Sequence, residues 1–365
     1  MQNVCFFNTV AFWGGGEKLH LEYAMEFKKK NYNVFLLSKK ASPLAEKCKR
    51  HGISVLSMSV SSCSFLNPIK LIRLIYFYRQ NKIDTVIFSG SKDLKTGGIA
   101  ARLSKVKTIV YLRGIASPIK DRFMNRFLFR DVVTHIIANS QATKNAILNN
   151  LHGAISQDKV KVIYHGIEIS EHQGAGVSKT DIIEKYADGI ILGTAGRLEH
   201  GKGQAYLVEV ANMLKEANVR FTLFIAGTGV LQNSLEALIE KYDLQKQVVL
   251  LGFVDDISSF MNRIDIFLFA SESEGFGYAL VEAMENSKPV VAYGVTSIPE
   301  IVTNNRNGFL VDFPDVRMFA DKTLELMTNP SLRTKFGEEG RRIVKERFQL
   351  QDRIDEFENY LLGKN

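Results

Sequence analysis

The chain has 365 residues, of which 45% are apolar and 24% charged, with a formal net charge of +8. That length suits about two domains, and the composition is that of an ordinary soluble globular protein. No apolar run reaches the roughly 20 residues of a membrane-spanning helix, and the N-terminal residues lack the pattern of a signal peptide. Cys5, Cys48 and Cys63 make neither a metal-like pair nor an even framework, so reduced thiols in a cytosolic chain are expected. The charge is uneven. Residues 1–180 hold 27 Lys and Arg against 11 Asp and Glu, whereas the remainder holds 20 against 28. A basic half points to anionic partners such as nucleic acid, an anionic bilayer or an acidic substrate; a solvated surface is the plainer reading.

Apolar runs at residues 4–7, 34–37, 85–88, 108–112, 135–138 and 161–163 predict the strands of the first half. Runs at 190–194, 221–226, 248–251, 266–269 and 289–292 predict those of the second. Helical patterns lie between them, as at 19–29, 205–216, 231–242 and 278–286. In 205–216, Leu207, Val208, Val210, Ala211 and Leu214 share one broad face. This alternation predicts an α/β fold of parallel sheets covered by helices on both sides. Eleven strands are too many for one typical sheet, so two are expected. Residues 168–180 are polar, Gly- and Ser-bearing and aperiodic, which suits an interdomain linker. The tail 338–362 is helical in pattern and is expected to pack back across the first domain.

Open parallel sheets bind ligands at the carboxyl ends of their strands, and unusual residues fall at such ends. Gly14-Gly15-Gly16-Glu17-Lys18 lies between the first strand and the first helix. It lets backbone approach a ligand and opens a helix N-terminus suited to an anion. Its spacing matches neither the dinucleotide G-x-G-x-x-G nor a Walker loop, and a tight strand-to-helix turn also explains it. Gly196-Arg197-Leu198-Glu199-His200-Gly201-Lys202-Gly203 follows the strand at 190–194. Two cations among glycines suit a diphosphate, Arg by bidentate contact and Lys as a point charge. Ser271-Glu272-Ser273-Glu274-Gly275-Phe276-Gly277-Tyr278 follows the strand at 266–269 and leads into a helix carrying Glu282. The N–H groups of Gly277 and Tyr278 open that helix toward a phosphate. A carboxylate accepts bonds from sugar hydroxyls well, and Glu282, embedded in an apolar helix, needs a partner.

The strings E-G-F-G-x-x-x-x-E and G-R-x-x-x-x-K-G, together with Ala226-Gly227-Thr228-Gly229, resemble family 4 of the glycosyltransferases. So do Leu251-Gly252-Phe253-Val254, Lys288-Pro289-Val290-Val291 and Asn307-Gly308-Phe309-Leu310. The similarity covers nearly the whole chain and is most specific in residues 190–312. It implies a GT-B fold, with two Rossmann-like domains facing across a cleft and the C-terminal helix returning to the first. Residues 1–168, with 350–365 packing back, would form the acceptor-binding domain, and 169–349 the nucleotide-sugar-binding domain. The resemblance further implies a retaining enzyme that moves a hexosyl-type sugar from a nucleotide diphosphate donor, without a metal or other cofactor. Arg197 and Lys202 would hold the diphosphate and stabilise it as leaving group, Glu274 would bind the transferred sugar, and Glu282 the ribose. Phe253 and Val254 would meet the base. Gly196, Gly227, Gly275, Phe276, Gly277 and Tyr278 would complete the donor site. Gly15 and Gly16 would approach phosphates or acceptor from the other domain, with Glu17 a further sugar or acceptor contact. A UDP-sugar is favoured over a GDP-sugar on family grounds alone.

Many relatives carry a His after the strand matching 108–112, where this chain has Arg113. Arg113 would contact a phosphate or an acidic sugar, or serve the structure only. His165 takes the place of an Asn or similar residue near the hinge and is given a structural role first. Pro118-Ile119-Lys120-Asp121-Arg122-Phe123-Met124-Asn125-Arg126-Phe127-Leu128-Phe129-Arg130 interleaves basic and aromatic residues. Such a segment suits an anionic membrane surface, or a buried helix with solvated ends. A glycan or lipid-linked acceptor of the cell envelope, in lipopolysaccharide or capsule synthesis, would explain a membrane-facing basic domain on the inner face of the cytoplasmic membrane. No nucleic-acid partner is expected. A nucleotide-sugar 2-epimerase of the same architecture and a non-catalytic sugar-nucleotide binder are the competing readings.

Overall fold

The structure, a computed structural model, describes residues 2–150, 153–169 and 180–363. The chain divides into two units, Met1–His165 with Asp352–Asn365, and Gly166–Gln351. Most of the expected linker, residues 170–179, lies outside the described residues.

The first unit is built on a seven-stranded sheet. Its strands are β1 (Asn3–Asn8), β2 (Asn33–Ser38), β3 (Ser54–Ser57), β4 (Thr85–Phe88), β5 (Thr108–Arg113), β6 (His135–Ala138) and β7 (Val160–Val162). They run in the order β3-β2-β1-β4-β5-β6-β7, every neighbour parallel. β1 is central, with Cys5 in register with Phe35 on one side and Val86 on the other. Its Val4, Cys5, Phe6 and Phe7 are all buried, the near-continuous apolar run of a strand covered on both faces. Helices α1 (Gly15–Lys29), α2 (Pro43–Arg50) and α3 (Pro68–Gln80) follow β1, β2 and β3. Ser42 and Asn67 cap the last two by accepting from the Ala45 and Lys70 N–H groups, each with a proline in the first turn.

The helix Leu350–Leu361 ends the chain. Phe357 packs on the Tyr23 and Phe27 rings of α1, with centroids 5.1 and 5.9 Å apart. Lys30 pairs with both Asp355 and Glu358, and the Tyr32 hydroxyl donates to Glu358 at 2.5 Å. At the other edge of the sheet the Tyr360 hydroxyl donates to the Lys159 carbonyl at 3.1 Å.

The second unit is a six-stranded parallel sheet in the order β10-β9-β8-β11-β12-β13. Its strands are β8 (Ile190–Ala195), β9 (Phe221–Ala226), β10 (Val248–Gly252), β11 (Ile266–Phe269), β12 (Val290–Tyr293) and β13 (Gly308–Val311). Residues 166–169 belong here through two ties. Ile167 forms a parallel bridge with Gln349, and the Tyr278 hydroxyl donates to the Gly166 carbonyl at 2.9 Å.

Two strands fall outside the sequence expectation, β3 and β13. Each is four residues long at the edge of its sheet. β3 has a serine at both ends and no buried residue, so it carries too little apolar signal to stand out. The tail is helical as expected, in two helices, Pro330–Arg347 and Leu350–Leu361, separated where Phe348 and Leu350 exchange backbone bonds with Ile167.

Both sheets reverse their order beside the strand that opens them. The reversal lies between β1 and β4 in one and between β8 and β11 in the other. Such a switch point is where loops leave in opposite directions and a crevice opens at the carboxyl ends.

Candidate active site

At the switch point of the second sheet two loops meet. The loop after β8 carries Lys202 and the loop after β11 carries Glu274. Lys202 Nζ donates to Glu274 Oε1 at 2.6 Å, with the two side chains 28% and 13% exposed. The Ser271 hydroxyl donates to the same Oε1 at 2.9 Å. Glu274 is therefore aimed from two sides through one oxygen, and a carboxylate has accepting capacity on the other. Its backbone is held as tightly. The Thr296 hydroxyl accepts from the Glu274 N–H at 2.9 Å and donates to the Glu274 carbonyl at 2.8 Å. The Ser297 hydroxyl lies within bonding distance of both the Glu274 and Phe276 carbonyls, at 3.1 and 3.2 Å.

The loop after β8 is shaped by close backbone approaches. The Gly196 N–H donates to the Ala226 carbonyl at 2.9 Å, and the Glu272 N–H donates to the Gly201 carbonyl at 2.9 Å. Gly203 has φ +72°, and a Cβ there would strike the Ala270 carbonyl oxygen. Glycine alone lets this loop lie against the end of β11. Gly227, at the end of β9, touches the Gly196 carbonyl oxygen in the same way. Arg197 is exposed and donates to Glu199 at 2.9 Å, while Gln204 donates to the Arg197 carbonyl at 2.9 Å. Arg197 and Lys202 thus sit on one loop but hold different carboxylates.

Gly277, with φ +99°, opens the helix Tyr278–Glu285, which carries Glu282 on a half-buried position. Gly275 and Gly277 are buried. Phe276 is buried too, its ring 5.6 Å from that of Phe348, so its side chain belongs to the core. Tyr278 is turned by its hydroxyl toward Gly166. Phe253 is 52% exposed just beyond β10 and Val254 is buried.

In the first unit, Gly15 and Gly16 are exposed at the start of α1, with Gly14 as the extended residue before it. Glu17 is buried and accepts from the Asn8 side chain at 3.1 Å. Arg113, at the end of β5, donates to the Ser117 carbonyl at 2.8 Å and its hydroxyl at 3.1 Å. The Asn139 side chain and His165 Nε2 lie 3.3 Å apart, and burial lowers the His165 pKa to about 4.

Sequence reasoning missed four residues. Ser271, Thr296 and Ser297 fix Glu274. Asp93, fully buried beyond β4, accepts from the Thr9 N–H at 3.0 Å and its hydroxyl at 2.5 Å, tying the loop after β1 across the other switch point. Burial raises the Asp93 pKa, and the two Thr9 bonds oppose that. Thr296 lies 22 residues beyond Glu274, and the one available signal was its place after the strand at 289–292. Among the described residues no group of three or more His, Cys, Asp or Glu could hold a metal ion.

Two family models match, Glycosyltransferase Family 4 over residues 13–171 and Glycosyl transferases group 1 over residues 179–343. The chain belongs to the family 4 glycosyltransferases. This glycosyltransferase is 26% identical to the capsular polysaccharide biosynthesis glycosyltransferase CapM of Staphylococcus aureus, over 91% of its own length and 90% of the relative's. It is 24% identical to the UDP-Gal:alpha-D-GlcNAc-diphosphoundecaprenol alpha-1,3-galactosyltransferase of Escherichia coli, over 94% and 92% of the two chains. Its fold is that of Anabaena HepE, solved in complex with UDP-glucose, at a TM-score of 0.85 and 22% identity with both chains fully covered. It is an enzyme of GT-B architecture with relatives in polysaccharide biosynthesis.

Proposed function

We propose that the enzyme is a retaining glycosyltransferase that takes a hexosyl-type sugar from a nucleotide diphosphate donor, a UDP-sugar by preference. The observation that carries this is the Lys202–Glu274 pair at the β8/β11 switch point. A cation fit for phosphate and a carboxylate fit for sugar hydroxyls stand side by side, as the two halves of a nucleotide sugar require. Two of the Lys202 ammonium hydrogens remain for phosphate oxygens after its bond to Glu274. Arg197 supplies a second, bidentate group on the same loop. Glu282 binds the ribose, and backbone near Phe253 and Val254 meets the base.

The donor bond breaks to an oxocarbenium-like sugar, and the departing phosphate takes the acceptor's proton on the same face. The protein's part is positioning and electrostatics: the two cations stabilise the charge that develops on the leaving diphosphate. The acceptor is a glycan or lipid-linked envelope precursor, of capsule or lipopolysaccharide type, held by the basic first unit at the inner face of the cytoplasmic membrane. The capsular and diphosphoundecaprenol names of the relatives support that class. Release of UDP or GDP from a panel of nucleotide sugars, with and without envelope glycolipid, tests the reading. Acceptor-stimulated UDP release with retention of the anomeric configuration is expected. Inversion, or no release from any nucleotide sugar, overturns it.

A further inference from the structure

The surface of α3 does not fit a helix that merely covers a sheet. Leu74 and Tyr78 are its buried face. On the opposite side Ile69, Ile72 and Tyr76 are 76%, 65% and 66% exposed, and Leu66 just before the helix is 71% exposed. At about 100° per residue these three fall within about 60° of one another, a single apolar stripe pointing outward. By the same count Arg73 and Arg79 flank the stripe, one on each side, and both are exposed. The helix before it in the chain, α2, shows the ordinary arrangement, with Leu44, Ala45 and Cys48 buried and Lys49 and Arg50 outward. The stripe extends toward Leu103, 54% exposed, whose carbonyl accepts from Arg79 at 3.3 Å.

The charge around this stripe has one sign. Residues 54–83, which run through α3, contain four Lys and Arg and no Asp or Glu, and residues 94–120, which begin with the segment packed against α3, contain six and none. A stripe of outward apolar side chains on a helix whose own and adjoining stretches are basic and acid-free is what an interfacial helix on anionic lipid presents. A second copy of the chain fits badly, because it would bring two such basic surfaces together. The segment 118–130 is the lesser candidate. Its Leu128 and Phe129 are buried, Arg126 is forked onto Asp121 at 2.6 Å and Arg130 is paired with Asp131, leaving Phe123 as its outward large apolar group.

We infer that α3 is the face by which the first unit docks on an anionic lipid bilayer, with Ile69, Ile72 and Tyr76 entering the headgroup boundary and Arg73 and Arg79 meeting lipid phosphates. The inference deepens the proposed reading, in which the acceptor is lipid-linked, by assigning the surface that reaches it.

The test is co-sedimentation of the full chain, without nucleotide sugar, with vesicles of phosphatidylcholine alone or of equal parts phosphatidylcholine and phosphatidylglycerol. Pelleting with the anionic vesicles, release by high salt and little pelleting with phosphatidylcholine are expected. The triple variant I69Q/I72Q/Y76Q should partition at least about tenfold less while melting at the wild-type temperature. Should it fail to fold, the surface variant R73Q/R79Q should bind anionic vesicles about tenfold less. Failure of the wild type to pellet with anionic vesicles overturns the inference, as does wild-type binding by whichever variant folds. A wild-type dimer in the absence of lipid that the triple variant abolishes also overturns it, and assigns the stripe to a second copy. Because binding is read without donor, such failures leave the donor reading standing, and a failure of nucleotide release leaves the vesicle result standing.

Discussion

Lys202 Nζ and Glu274 Oε1 lie 2.6 Å apart across the switch point of the second sheet, although 72 residues separate them in sequence. The pairing brings two unlike ligand chemistries to one place. Under the proposed roles their contributions are separable, because removing the carboxylate would leave the ammonium to phosphate alone.

Glu274→Gln keeps the shape and removes the charge. It should lower kcat for transfer by about 100-fold or more, the loss expected when one preorganised polar group is removed. UDP affinity should stay within about threefold, since Lys202 is then unopposed. Steady-state kinetics with UDP titration check this, and a large loss of UDP affinity with unchanged kcat would reverse the roles.

Thr296 acts through Glu274, holding its backbone by two bonds of 2.9 and 2.8 Å. Thr296→Ala should lower turnover about fivefold, in line with about 1 kcal/mol for the loss of such bonding. Thr296→Ser keeps the hydroxyl and should restore turnover to within about twofold. If the serine variant is as impaired as the alanine variant, the hydroxyl is not what positions the carboxylate.

Glycines in the loop after β8 differ sharply in need. Gly203→Ala meets both a left-handed φ and the Ala270 carbonyl, and should cost roughly 2–4 kcal/mol of stability. Gly196→Ala meets nothing within 4 Å and should melt like the wild type. Urea titrations of both variants check the contrast.

His20 in α1 is fully buried, with both ring nitrogens lacking a hydrogen-bond partner and its ring edge-on to Phe6 at 5.6 Å. Burial lowers its pKa from 6.5 to about 4. Between those values the unfolded chain takes up a proton that the folded chain refuses. Stability is therefore full above pH 6.5 and falls as pH drops toward 4, by up to about 3 kcal/mol from this residue. His20→Leu should flatten that slope by a comparable amount in urea melts at pH 7 and 4.5. An unchanged slope would place the acid sensitivity elsewhere.

Much of this architecture is legible in the residues, because β1, β4, β9 and β11 are buried on both faces and read as largely apolar runs. The loops bearing Lys202 and Glu274 were found because glycines and charges follow directly on such strands. β3 was not legible, since an edge strand needs little apolar surface. Thr296 and Ser297 were not legible either: a hydroxyl that braces a carboxylate from another loop looks like any turn residue until the chain is folded. The outward stripe of α3 is masked by the helix's overall apolar composition, which cannot say which face is buried.

The central claim is that the Lys202 loop binds and stabilises the departing nucleotide diphosphate. Turnover of Lys202→Ala, measured as nucleotide diphosphate release under saturating acceptor in a protein that melts like the wild type, tests it most directly. A loss of about 100-fold or more, near 3 kcal/mol of transition-state stabilisation, is the predicted result. Turnover within about threefold of wild type would contradict it.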